Sequence, residues 1–172
     1  MGQAHVGPEA VGWSSEAAGA GGDRGDAAAG ASGAAGGLGA GGARWADGTL
    51  TTGSTGPLAA AFVSVGNPHC VLFGSPDPWG ELATEVPPEL GGVLAVHPVF
   101  ARGINVQQAR VQSPDVLEAR VWERGVGPTS ASGTSACAVA VAAVASGRVP
   151  AGEKVVRTPG GELRVTVDAE LN

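Results

Sequence analysis

The chain is poor in the residues that would mark it for several common functions. Only two cysteines occur among 172 residues. Cys70 and Cys137 lie far apart without Cys-x-x-Cys spacing, so neither a zinc site nor a disulfide framework follows from them, and a reducing cytoplasm is the simpler setting. Charge is also scarce: charged residues make up 15%, and 10 Lys plus Arg against 16 Asp plus Glu leave a net charge of −6. A nucleic-acid backbone is gripped by clustered positive charge, and no basic run occurs, so nucleic acid is excluded as a partner. Long apolar runs are missing as well. The longest, Ala136 to Ala145, has ten residues, where a bilayer span takes about 20. The amino end lacks the basic-then-apolar order of a secretory signal. These absences lead us to expect a soluble, cytoplasmic chain with no membrane partner, too short for a large multidomain enzyme.

Glycine is what the chain has in excess: 30 Gly beside 12 Pro. From Glu16 to Ala43, 22 of 28 residues are Gly or Ala, and Leu38 is the one sizeable apolar side chain. Such a stretch has little to bury against the entropy of ordering, and glycine at this density costs about 1 kcal/mol per site relative to Ala, which defeats helix nucleation. We therefore expect three parts: residues 1–11, a flexible Gly/Ala-rich segment at 12–57, and a folded module at 58–172.

Within that module, Ala60 to Phe73 reads as two short buried strands around the turn Gly66-Asn67-Pro68. Ile104–Val111 and Val116–Trp122 form a hairpin about Ser113-Pro114-Asp115, and Val155–Val167 forms another about Pro159-Gly160-Gly161. One helix is evident, Thr134 to Ser146. It is small and apolar on every side, so it must be wholly enclosed. Ser132 suits its N-cap and Gly147 its left-handed C′ position. The expected fold class is α+β, with strands wrapped around a central buried helix.

Chemistry concentrates where Glu123-Arg124-Gly125 runs through a glycine-rich turn into that helix. Backbone N–H groups at Gly133, Thr134 and Ser135 would point out of the helix start, where partial positive charge accumulates, so a carboxylate or phosphate could sit there. A Ser-capped helix with no ligand is the plainer alternative. No Lys follows the glycines, so this is not a P-loop. Asn67 and His69 lie on a turn beside an apolar strand and could be purely structural. Asn105, inside an apolar strand, must find partners in protein or ligand. Glu123 and Arg124 would face opposite sides of a strand, and a surface ion pair would explain them without a ligand.

Taken in order, Gly66-Asn67-Pro68-His69-Cys70-Val71, Asn105-Val106, Glu123-Arg124-Gly125-x-Gly127-x-Thr129, Ala131-Ser132-Gly133-Thr134 and Ala136-Cys137-Ala138 resemble the diaminopimelate epimerase family. Met1-Gly2-Gln3 with Pro8 is similar to the start of that family's second lobe. The resemblance implies a cofactor-independent isomerase of a small amino-acid substrate, with no metal. It would convert LL- to meso-diaminopimelate on the route to lysine and peptidoglycan. One cysteine removes the α-proton and a second, from the opposite lobe, returns a proton to the other face. It further implies that Asn67 and Asn105 hydrogen-bond substrate, that Glu123 and Arg124 bind its amino and carboxylate groups, and that Gly133 and Thr134 offer N–H groups to a carboxylate. The catalytic residues it implies are Ser132, His69 and Glu123, with His69 assisting proton handling or orientation.

Ser132 occupies the position of the family's second catalytic cysteine, and Cys70 and Cys137 match noncatalytic positions. The resemblance covers the second lobe, so a first lobe in trans or a homo-oligomer would complete the site. The chain ends soon after the last hairpin, where the family has a further strand, which leaves a sheet edge able to pair. A noncatalytic amino-acid or dicarboxylate binding module and a racemase of another amino acid are the alternative functions.

Overall fold

A computed structural model describes residues 3–7, 9, 36–37, 44–46, 49–52, 56–74, 86 and 88–171. Its strands, in chain order, are β1 (His5–Val6), β2 (Gly36–Gly37), β3 (Arg44–Ala46), β4 (Thr49–Thr52), β5 (Gly56–Ser64), β6 (Pro68–Phe73), β7 (Asn105–Ser113), β8 (Val116–Glu123), β9 (Gly127–Thr129), β10 (Gly152–Thr158) and β11 (Gly161–Val167). Two helices join them, α1 (Pro88–Ala95) and α2 (Gly133–Ala145). Among the described residues the strands make one mixed sheet in the order β11-β10-β8-β7-β6-β5-β4-β3-β2, with β1 on β5 and β9 on β8.

The three expected hairpins form antiparallel pairs, β5 with β6, β7 with β8 and β10 with β11. Two pairs are parallel, β6 with β7 and β8 with β10. Parallel neighbours need a long crossover. Here α1 lies in the first crossover and α2 in the second, and they pack on opposite faces of the sheet. On β6, Val71 and Phe73 join the core around α2, while Cys70 and Leu72 join a second core with Leu90 and Leu94 of α1. This alternation is the period-two rule of a strand buried on both faces. The sheet curls around α2, which packs against β5, β6, β7, β8, β10 and β11.

Several expectations need correction. Helix α2 is not wholly enclosed: Ser135, Ala136 and Ala138 to Ala143 are buried, but Cys137 and Val144 are half-buried and Gly133 and Ala145 exposed. A second helix, α1, exists where none was expected. Its Gly91 explains the omission, because a Cβ there would lie 2.6 Å from the Trp122 ring. Glycine weakens the helix locally but lets the indole lie against it. Within the segment expected to be flexible throughout, β2, β3, β4 and the first two residues of β5 belong to the sheet; the rest of 12–57 lies outside the described residues.

Residues 3–7 belong to the same module. Strand β1 pairs with the last residues of β5, and β4 takes the earlier part of the same edge. Ala4 is buried in the α2 core and its N–H donates to Leu171 O (3.1 Å). At the opposite end, Lys154 is 1% exposed and its ammonium bonds Asp115 Oδ1 (3.1 Å), pinning the β7–β8 turn to β10.

Candidate functional site

Four segments converge on one end of the sheet. Register places His69, on β6, beside Asn105 at the start of β7. Asn105 Oδ1 accepts the Arg124 backbone N–H (3.0 Å), which holds the end of β8 next to it. Two residues along β7 on the same face, buried Gln107 bonds Ser135 Oγ (3.1 Å) in the first turn of α2. Farther along the strands, Ala109 and Leu117 share a core with the body of α2. The helix therefore runs with β7 and aims its N-terminus toward Asn105, with Ser132 at the tip.

That tip is chemically open. Ser132 has extended backbone (φ −153°, ψ 125°), its C=O accepts the first helical bond from Ala136 N–H (3.0 Å), and its side chain makes no capping hydrogen bond. The expected N-cap position is correct, but the hydroxyl is not spent on it. The N–H groups of Gly133, Thr134 and Ser135 precede the first intrahelical donor, Ala136, and so have no acceptor within the helix. No acidic residue sits in the first turn, so nothing there offsets the positive helix end.

The approach to the tip is braced from outside. Gly160, in the β10–β11 turn, donates its N–H to Ser130 O (2.8 Å), and a Cβ at Gly160 would lie 2.9 Å from the Ala131 methyl. The β8–β9 turn needs left-handed glycine at Gly125 (φ 80°) and Gly127 (φ 102°).

Asn67 and His69 form one unit: His69 Nε2 lies 2.9 Å from Asn67 Oδ1. Burial lowers the His69 pKa from 6.5 to about 4, so the ring is neutral at pH 7. A contact with Gln107 opposes the shift but falls short of hydrogen-bond geometry, since His69 Nδ1 and Gln107 Oε1 are each left without a partner. Glu123 is half-buried and follows Leu117, Ala119 and Val121 at strand period on the α2 face. Arg124 points elsewhere. Its exposed guanidinium bonds the carbonyls of Arg102 and Gly103, and its side-chain carbons abut Gly103. No Glu123–Arg124 ion pair exists among the described residues.

The family model for diaminopimelate epimerase matches residues 61–172. The chain belongs to that family. It is 50% identical over 103 residues to the diaminopimelate epimerase of Desulforudis audaxviator, covering 60% of this chain and 35% of that one. It is 40% identical over 109 residues to that of Synechococcus elongatus, covering 63% and 37%. A third relative, from Desulfitobacterium hafniense, is 47% identical over 103 residues, covering 60% and 34%. The chain thus spans about a third of the length of the curated epimerases it matches.

Within this epimerase lobe the two thiols are poorly placed for proton transfer. Cys70 faces the α1 core, fully enclosed, and burial pushes its pKa up to about 12. Cys137 sits more than a turn down α2 from Ser132, and burial raises its pKa too. A raised pKa removes the thiolate that a proton-abstracting base needs. Gln107 and the side chain of Ser135, which the sequence offers only as a backbone N–H, are the site-end groups that the sequence does not reveal. A glutamine at an inward-facing position of an apolar strand was the available signal, since a buried amide demands partners. No cluster of three or more His, Cys, Asp or Glu side chains able to hold a metal occurs among the described residues. No described helix is long and apolar enough to cross a membrane.

Proposed function

We propose that this chain is the substrate-holding lobe of a diaminopimelate epimerase-type isomerase, with Ser132 where the family's second cysteine stands. The observation that carries the reading is the open helix tip: an uncommitted Ser132 hydroxyl and free N–H groups at the sheet end that also bears Asn67, His69, Asn105 and Glu123. Gly133 and Thr134 N–H groups hold a substrate carboxylate, and the helix end stabilises negative charge as the α-proton leaves. Asn67 and Asn105 hydrogen-bond substrate. Glu123 takes its ammonium group, and Arg124 acts through its backbone N–H, which holds Asn105 in place, while its guanidinium is spent on the Arg102 and Gly103 carbonyls. A serine hydroxyl is a far weaker acid than a thiol of reference pKa about 8.5, so Ser132 orients and hydrogen-bonds rather than supplying a thiolate. The proton-abstracting group is supplied by a first lobe.

Incubation with diaminopimelate in deuterated water, followed by mass spectrometry of the α-position, tests the chemistry; calorimetry tests the holding. We expect saturable binding of diaminopimelate, and in Ser132→Cys a thiol titrating below about 8.5 with new α-deuterium incorporation. Absence of binding together with an ordinary thiol titration would falsify the reading. A noncatalytic amino-acid binding module is the second reading, favoured by serine at the tip. Binding without exchange in both the wild type and Ser132→Cys would select it.

A further inference from the structure

The buried polar atoms behind the helix tip do not match as they stand. His69 and Gln107 are both 0% exposed, and Ser135 is 1% exposed. If neutral His69 donates from Nε2 to Asn67 Oδ1, its Nδ1 is a lone pair, and Gln107 Oε1 is a second acceptor with no donor. Two orphaned acceptors in a dry interior cost about 1–3 kcal/mol each. Rotating the Gln107 carboxamide by 180° exchanges its oxygen and nitrogen and answers both deficits. The N–H then faces His69 Nδ1, and the oxygen faces Ser135 Oγ, whose own proton gains an acceptor.

We propose that Gln107 is a positioning residue that donates its amide N–H to Nδ1 of neutral His69 and accepts the Ser135 hydroxyl proton. One directional chain of hydrogen bonds then runs from the first turn of α2 to Asn67: Ser135 O–H to Gln107 Oε1, Gln107 N–H to His69 Nδ1, His69 Nε2–H to Asn67 Oδ1. The opposite direction would turn the Asn67 amide over and use the less stable Nδ1–H tautomer. The chosen direction fixes what Asn67 presents outward. Its oxygen is held by His69, so its Nδ2–H groups remain for a ligand, which suits a carboxylate rather than an ammonium. That last consequence rests on the function proposed above; the tautomer of His69 does not.

The test is long-range 1H–15N NMR of the full chain with 15N-labelled histidine at pH 7. His97 serves as internal reference, because its Nδ1 accepts the Val99 N–H (3.2 Å); His69 is assigned by loss of its signal in His69→Gln. The expected spectrum has His69 protonated on Nε2 alone, with Nδ1 shifted as a hydrogen-bonded acceptor. A ring protonated on Nδ1, or on both nitrogens, overturns the proposal. Gln107→Glu removes the amide donor, and the expected result is loss of the Nε2-only signature as the proton moves to Nδ1 or the ring becomes charged. An unchanged His69 tautomer in folded Gln107→Glu overturns the role of Gln107. Should that variant fail to fold, the wild-type spectrum still decides the direction of the chain. All of these readouts are made without substrate, so a failure to bind diaminopimelate leaves them intact.

Discussion

The two faces of the sheet are packed on opposite principles. On the α1 side, Leu90 and Leu94 of the helix pack with Phe62, Leu72, Val99, Phe100 and Ile104, large side chains with a T-shaped Phe62–Phe100 contact of 5.7 Å between ring centres. Against α2 the helix supplies Ala136, Ala138, Ala140, Ala142 and Ala143 with two buried valines, and the polar trio His69, Gln107 and Ser135 is buried at one end. The α1 face gains stability from volume. The α2 face gives up volume so that a curled sheet can close around a helix and deliver its tip to the site. Stability and chemistry are thereby assigned to different sides of the same strands.

The sharpest way to test this division is to remove volume from the α1 face. Leu72→Ala deletes a fully buried side chain and should cost about 2–5 kcal/mol by urea denaturation, with diaminopimelate binding by the folded fraction unchanged. A loss of affinity at saturating stability would break the division.

Acidification addresses the α2 face next. The folded-state pKa of His69 lies below its unfolded value, at about 4 against 6.5. Above 6.5 both states are neutral and the difference has no effect. As pH falls from 6.5 toward 4 the unfolded chain takes up the proton first, so stability should drop by ~3 kcal/mol across that window. His97, also lowered by burial, adds in the same direction. Urea titrations at pH 7 and pH 4.5 measure the drop, and His69→Gln should reduce it.

Adding volume to α2 should hurt where adding it to an exposed helix would not. Ala140 is 0% exposed, and Ala140→Val should lose about 1–3 kcal/mol from overpacking, seen as a lower melting temperature. Smallest of all should be Ser132→Ala. N-cap serine normally contributes about 0.5–2 kcal/mol, but this hydroxyl makes no cap bond. The variant should stay within about 0.5 kcal/mol of the wild type, as neutral surface changes do, and weaken ligand binding instead.

Much of this organisation could be read from residue order. The hairpins were legible because turn residues such as Asn67-Pro68 and Pro159-Gly160-Gly161 punctuate alternating apolar runs, and α2 because Ser132 and Gly147 (φ 67°) bracket a small apolar stretch. Helix α1 was illegible for a physical reason: Gly91 and Gly92 lower its local helix propensity, and the Trp122 ring that lies against them is thirty residues on. The residues Asn67, His69, Asn105 and Glu123 could be singled out by type, but their meeting at one sheet end depends on β6–β7 register and on the Asn105 bond to Arg124, which no local pattern encodes. The side-chain pairing of Gln107 with Ser135 was hidden likewise, since it spans 28 positions. The surface ion pair considered for Glu123 and Arg124 failed because the Arg102–Gly103 carbonyls compete for the guanidinium.

The bond from Gly160 to Ser130 ties a distant loop to the working end of the molecule. Whoever engineers this lobe by restoring a thiol at its helix tip inherits a constraint from outside the site: a bulkier turn between the last two strands would tilt the reactive group away from whatever it is meant to meet. The terminal hairpin therefore acts as a gauge that sets how far the tip projects, and it should be left untouched, or grafted as one piece with the tip, in any chimera.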